Sequence, residues 1–148
     1  MIDLRNPALS AGDVCAALAL SPHPEGGHYR EIWRDTHGDG GRGAVTTILF
    51  LLAAGERSHW HRVDAAELWL WHGGAPLRLG IAEGAAAPRH FVLGPDLGAG
   101  AALQLVVPAH GWQAAESLGA WSLVGCVVAP AFQFEGFELA APGWAPGT

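Results

Sequence analysis

Val14 and Leu18 stand four residues apart, behind Ser10 and Asp13. That spacing puts the two apolar side chains on one helical face and the Ser and Asp in the positions of a capping box, so a short amphipathic helix is predicted over Ser10–Leu20. From Ser21 onward the period changes. Short runs rich in Val, Ile, Leu, Thr and Trp alternate with clusters of Gly, Pro and Asp, the pattern of many short antiparallel strands. Strands are predicted at His28–Arg34, Val45–Leu52, Ser58–Arg62, Glu67–His72, Pro76–Ala82, Arg89–Leu93, Leu103–Val107, Trp112–Glu116 and Trp121–Val128, with a last one at Phe134–Leu139. They recur about every ten residues around turns such as His72-Gly73-Gly74-Ala75 and Gly94-Pro95-Asp96-Leu97, and crossover helices are absent. The fold class is therefore all-β, a sandwich or jelly roll rather than a parallel sheet. No repeat or linker divides the chain. A single domain over residues 1–148 is predicted, with its core at about 20–140 and a loose tail at 141–148, where Gly and Pro follow Ala140.

Composition supports a packed interior. Of 148 residues 50% are hydrophobic and 15% charged, outside the polar, highly charged regime of disorder. The net charge is -6, all eight basic residues are Arg, and none form a run, so nucleic acid is not an expected partner. The longest apolar stretches, around Ala44 to Ala54 and Trp121 to Phe132, fall short of the roughly 20 residues that span a bilayer, and no membrane partner is expected. Asp3, Arg5 and Asp13 interrupt the region where an export signal would need an apolar core, which predicts a cytoplasmic location. Cys15 and Cys126 are isolated in apolar text and read as free thiols, Cys126 as packing rather than nucleophile.

Chemistry concentrates between Gly55 and Gly74, in GERSHWHRVDAAELWLWHGG. On a regular strand His59 and His61 project from the same face, and Glu67 can meet them from the next strand, giving an N,N,O set suited to a divalent transition metal. Trp69 and Trp71 share parity with Glu67, so all three are expected to point inward, either to enclose a ligand ring or as core packing. His37, His72 and His90 read as surface residues.

The spacing Gly55, His61, Glu67, Gly74 resembles the first signature of the cupin superfamily, but Val63 stands where that signature has a second histidine, and Gln113 stands where a third would follow Pro108. His23-Pro24-Glu25-Gly26-Gly27, Tyr29-Arg30-Glu31, Trp60-His61-Arg62-Val63-Asp64 and Val124-Gly125-Cys126-Val127-Val128-Ala129-Pro130 are similar to a cupin family of the Cupin-5 type, with His110, Ala131 and Gln133 departing from its pattern. The resemblance implies a cupin double-stranded β-helix (jelly roll) barrel, a homodimer, and a cavity for a small-molecule ligand with no settled reaction. In that setting His61, Glu67 and Gln113 are expected as polar anchors, with Trp69, Trp71, His23, Glu25 and Tyr29 bordering the ligand or, for the HPEGG residues, the dimer contact. No cofactor is favoured. Three alternatives stand beside ligand binding: a metal-independent isomerase or epimerase using His61 and Glu67 as an acid/base pair, a metal-dependent oxygenase or lyase using His59, His61 and Glu67, and a structural role with an interior filled by side chains.

Overall fold

The computed structural model describes residues 1–148. Its one α-helix, α1 (Ala11–Leu18), starts where the capping box requires: Ser10 Oγ accepts from the Asp13 N–H at 3.1 Å and the Asp13 carboxylate accepts from the Ser10 N–H at 2.9 Å. The helix stops at Ala19, which takes a left-handed φ of 55° and donates back to the last carbonyls.

Eleven strands follow: β1 (Ser21–Pro22), β2 (His28–Arg34), β3 (Thr46–Ala53), β4 (Arg57–Val63), β5 (Ala66–Gly74), β6 (Leu77–Ala82), β7 (Arg89–Leu93), β8 (Gln104–Val107), β9 (Trp112–Ser117), β10 (Trp121–Ala129) and β11 (Phe137–Leu139). They pair antiparallel into a six-stranded sheet, β1-β2-β3-β10-β5-β8, and a five-stranded sheet, β11-β4-β9-β6-β7. The sheets face each other as a jelly roll, and an isolated bridge pairs Leu93 of β7 with Ala102 in the loop before β8. The expected strands are present within a residue or two at each end. Two details differ. The last predicted strand is halved, because Phe134–Gly136 forms a 3₁₀ turn and only Phe137–Leu139 pairs, and the two-residue β1 carries no periodic signal to reveal it.

Alternation along the strands produces one main core. Phe50 and Leu52 of β3, Trp69 of β5, Leu77 and Leu79 of β6, Leu93 of β7 and Val124 of β10 are fully buried between the sheets. Each such side chain stabilises the fold by about 1.5–3 kcal/mol relative to exposure. The opposite faces of two strand pairs are also buried, each under its own cover. Leu51 and Leu123 point away from the main core and pack against Val14 of α1. Trp60, Trp112 and Ala114 point away from it on the other sheet and pack under Trp144 and Ala145. The segment 141–148, expected as a loose tail, is therefore a cover: Trp144 and Trp112 lie 4.6 Å apart between ring centroids, and Pro146 is buried. Gly and Pro signal irregular backbone there, and the buried tryptophan surface holds that backbone in place.

His110, in the turn before β9, holds φ at 66° and donates its N–H to the Val63 carbonyl at 2.8 Å. A left-handed φ at a residue with a β-carbon costs about 1–2 kcal/mol. No helix is long and apolar enough to cross a membrane.

Candidate functional site

Between the sheets, at the end where β4, β5 and β10 approach the loop before β2, the core opens into a cavity of about 280 Å³. Its polar floor starts with the His23–Gly27 loop. Gly26 has φ +107° and a β-carbon there would lie 2.0 Å from the Arg57 carbonyl oxygen; Gly27 has φ +77° and approaches Leu51 and Leu52. Only glycine permits this approach. The consequence is positional: the loop is pressed onto β4, the His59 N–H donates to the Glu25 carbonyl at 2.8 Å, and the Glu25 side chain is carried into the interior.

His61 meets it there. Its Nε2 lies 2.9 Å from Glu25 Oε2, and its Nδ1 lies 2.7 Å from the carbonyl oxygen of His59. Both neighbours are acceptors, so both ring nitrogens donate and the imidazole is a cation. Burial by itself would lower the His61 pKa, but the Glu25 carboxylate, with Glu67 and the His59 carbonyl adding to it, holds it up at about 9. Burial would raise Glu25, and the charge and hydrogen bond of His61 outweigh it, so Glu25 stays below its ordinary value and is ionised. Ser58 Oγ lies beside Glu25 without the geometry of a full hydrogen bond.

Glu67, from β5, is the second buried carboxyl. Burial is the main cause that lifts its pKa to about 7, aided by the nearby Glu25 charge and opposed by His61, Gln113 and Cys126. Gln113 donates from Nε2 to Glu67 Oε1 at 3.2 Å and accepts through Oε1 from the Trp69 indole at 2.7 Å. Because an indole can only donate, Trp69 fixes which end of the amide faces Glu67. Burial, then the Glu67 charge, pushes the Cys126 thiol well up, so it stays protonated.

His23 accepts the Glu25 N–H at Nδ1, 3.1 Å away, which leaves its proton on Nε2. Its 3.9 Å approach to the Glu25 carboxylate is therefore a neutral contact, consistent with burial lowering its pKa. Its ring packs edge-on against Tyr29 at 4.5 Å. Across the cavity Phe132, Phe134 and Phe137 pack on one another, and Phe137 lies over His61 at 5.6 Å.

The residues expected at the site divide. His23, Glu25, Tyr29, His61 and Glu67 line the cavity. Gln113 and Trp69 stand behind Glu67, supporting it without reaching the cavity, and Trp71 is packed against the core with its indole donating to the Ala75 carbonyl at 3.2 Å. Their shared parity with Glu67 sets the sheet face but not the depth along the strand.

His59 does not join His61. Ser58 pairs with Ala115 and His61 with Gln113, so β4 carries one extra residue there. This bulge breaks the alternation: His59 turns outward and meets the Ala141 carbonyl at 3.0 Å through Nε2. The set His59, His61 and Glu67 is thus not assembled, both nitrogens of His61 are committed, and no three His, Cys, Asp or Glu side chains are arranged to hold a metal ion. The residues present do not fit the metal that the fold family's histidine motif would carry.

Several lining residues gave little sign of themselves. Glu31 and Arg34 from β2 and Thr46 and Ile48 from β3 carry no motif, whereas three phenylalanines within Phe132–Phe137 were a compositional cue to an aromatic wall. An interior filled by side chains, expected of a structural role, is not what this end of the molecule contains.

The family described as Cupin superfamily (DUF985), Cupin_5, matches residues 12–140. No curated protein matches the chain. Among solved structures, a protein of Shewanella oneidensis is 38% identical, with 90% of this chain and 85% of that one covered at a TM-score of 0.85. A hypothetical protein from Leishmania major is 31% identical, covering 90% and 88%, at 0.83. Oxalate decarboxylase from Bacillus subtilis is 14% identical at a TM-score of 0.62, over 80% of this chain and 29% of that one, a likeness of fold.

Proposed function

The chain belongs to the Cupin_5 (DUF985) family of the cupin superfamily, and from that premise we propose that it binds a small polar organic molecule in the cavity between its sheets. One observation carries the reading. Charged and polar side chains of unlike chemistry, Glu67 and His23 among them, converge on a cavity about half of whose lining is aromatic and aliphatic. Convergent polar groups beside apolar walls are what orients a small molecule in a binding site, and about 280 Å³ lies just below the ~300–1,000 Å³ typical of drug-sized ligands. The ligand is then a small metabolite.

Native mass spectrometry of the gently purified protein tests this. A small-molecule adduct is expected in the wild type and absent from Val128→Phe, which fills the cavity from β10. A wild type that carries no adduct, and takes up none from a metabolite extract, would overturn the proposal.

A second reading, a metal-independent isomerase or epimerase, is favoured by Glu67, whose pKa of about 7 suits a group that both takes and returns a proton. Here Glu67 removes the proton beside a substrate carbonyl, leaving an enolate, and gives it back. The His61 proton is committed to Glu25, so His61 holds the field around Glu67 rather than moving a proton itself. Incorporation of solvent deuterium at a substrate C–H position, lost in Glu67→Gln, separates this reading from binding alone.

A further inference from the structure

The pairing of charges around the cavity bears on what kind of ligand it takes. Two cations line it, and each has a carboxylate. His61 is held by Glu25, Nε2 to Oε2 at 2.9 Å. Arg34 is held by Glu31, through Nη2 at 2.7 Å and Nε at 3.3 Å, and its Nη1 donates to the Phe132 carbonyl at 2.7 Å. His23 is neutral, with Nδ1 accepting a backbone N–H. An anionic ligand would find no uncommitted cation, and it would face three carboxyl groups.

Glu25 and Glu31 are matched by those two cations; Glu67 is not. Its hydrogen-bond partner is the neutral amide of Gln113, the Cys126 thiol lies beside it, and the nearby His61 cation is already committed to Glu25. Facing the same space are Tyr29 and the Phe132, Phe134 and Phe137 cluster, whose centroids lie 5.0, 5.8 and 6.1 Å apart in edge-to-face contacts. The faces of aromatic rings carry negative potential and attract cations.

We infer that the cavity takes an organic cation, a small alkylammonium or amine-bearing metabolite, whose nitrogen pairs with Glu67 while its carbon skeleton lies against Tyr29 and the three phenylalanines. The inference rests on the reading of the cavity as a binding site and names the charge class of its ligand. A neutral polyol of the same size could satisfy the hydrogen bonds of Glu67 but would bring no charge to balance this third, buried carboxylate, and an unbalanced buried charge is costly.

Three probes with one carbon skeleton and three charges test this: butylammonium, 1-butanol and butanoate, titrated separately at low salt and pH 8, where Glu67 is ionised. Binding is read from the protein's NMR chemical shifts. Butylammonium is expected to bind about tenfold more tightly than 1-butanol, a preference within the range of charge and cation–π effects. In Glu67→Gln that preference should disappear while 1-butanol binding is retained. Phe134→Leu, at an exposed ring on the cavity rim, should weaken butylammonium about threefold with the fold intact. Equal binding of the three probes, tighter binding of butanoate, or an ammonium preference that survives Glu67→Gln would overturn the cation assignment and leave the cavity as a binding site. If no probe shifts any resonance of the cavity residues, both the assignment and the binding-site reading fall.

Discussion

His61 and Glu67 both hold protons more tightly in the folded protein than in an unfolded chain, and this has a measurable consequence for stability. His61, raised from 6.5 to about 9 by Glu25, contributes stability that is fully present below pH 6.5 and lost as pH rises through 9. Glu67, raised from 4.5 to about 7 by burial, is ionised at an increasing cost as pH rises from 4.5 through 7. Glu25 is lowered, so its contribution is present above 4.5 and lost as pH falls below that; the lowered His23 acts in the same direction from about 6.5 downward. Stability should therefore peak in mildly acidic solution and fall toward pH 9 by a few kcal/mol, at ~1.4 kcal/mol for each tenfold change in proton affinity. Urea unfolding at pH 5, 7 and 9 checks this, and Glu67→Gln should flatten the limb between pH 5 and 7 while leaving the limb above it. A wild type most stable at pH 9 would contradict the assignment. At this scale the sequence was partly legible. HPEGG and the His61–Glu67 spacing pointed to residues that line the cavity, but Glu25 and His61 are joined by a loop folding across a strand, and no local pattern encodes that contact. His59 misled because a bulge, invisible in the residue types around it, cancels the two-residue period.

Among the elements, strands were the most legible, since each is a run of alternating burial between Gly or Pro signals. The covers over their outer faces were less so. Trp60, Ala82, Trp112 and Ala114 make a second apolar surface that a strand reading assigns to solvent, and the C-terminal segment closes it through Trp144. Trp144→Ala should cost about 1–2 kcal/mol, from the lost ring pair and the apolar area exposed around it. A lower urea midpoint with unchanged ligand binding is the expected result, because this surface lies on the far side of its sheet from the cavity. An unchanged midpoint would return the segment to the role of a loose tail.

For the whole molecule, the edge of the six-stranded sheet at β2 matters most. β1 covers only the start of β2, at His28 and Tyr29, while Ile32 and Trp33 further along are 48% and 54% exposed. An uncovered edge with large apolar side chains invites a second chain. A homodimer, which the family resemblance implies, would find its pairing edge here. Sedimentation velocity should find a dimer for the wild type and a monomer for Trp33→Glu, and a monomeric wild type at micromolar concentration would refute it.

The cavity mouth is framed differently from its floor. Arg42 donates from Nε to the Ala131 carbonyl at 2.7 Å while gripping Asp64, Arg34 donates to the Phe132 carbonyl, and Thr46 Oγ1 accepts the Phe132 N–H at 3.0 Å. The three bonds to Ala131 and Phe132 hold the main chain and ignore the side chains there. The frame can thus stay in place when the Phe132 side chain is exchanged for another, so the aromatic wall can be varied there without refolding the entrance.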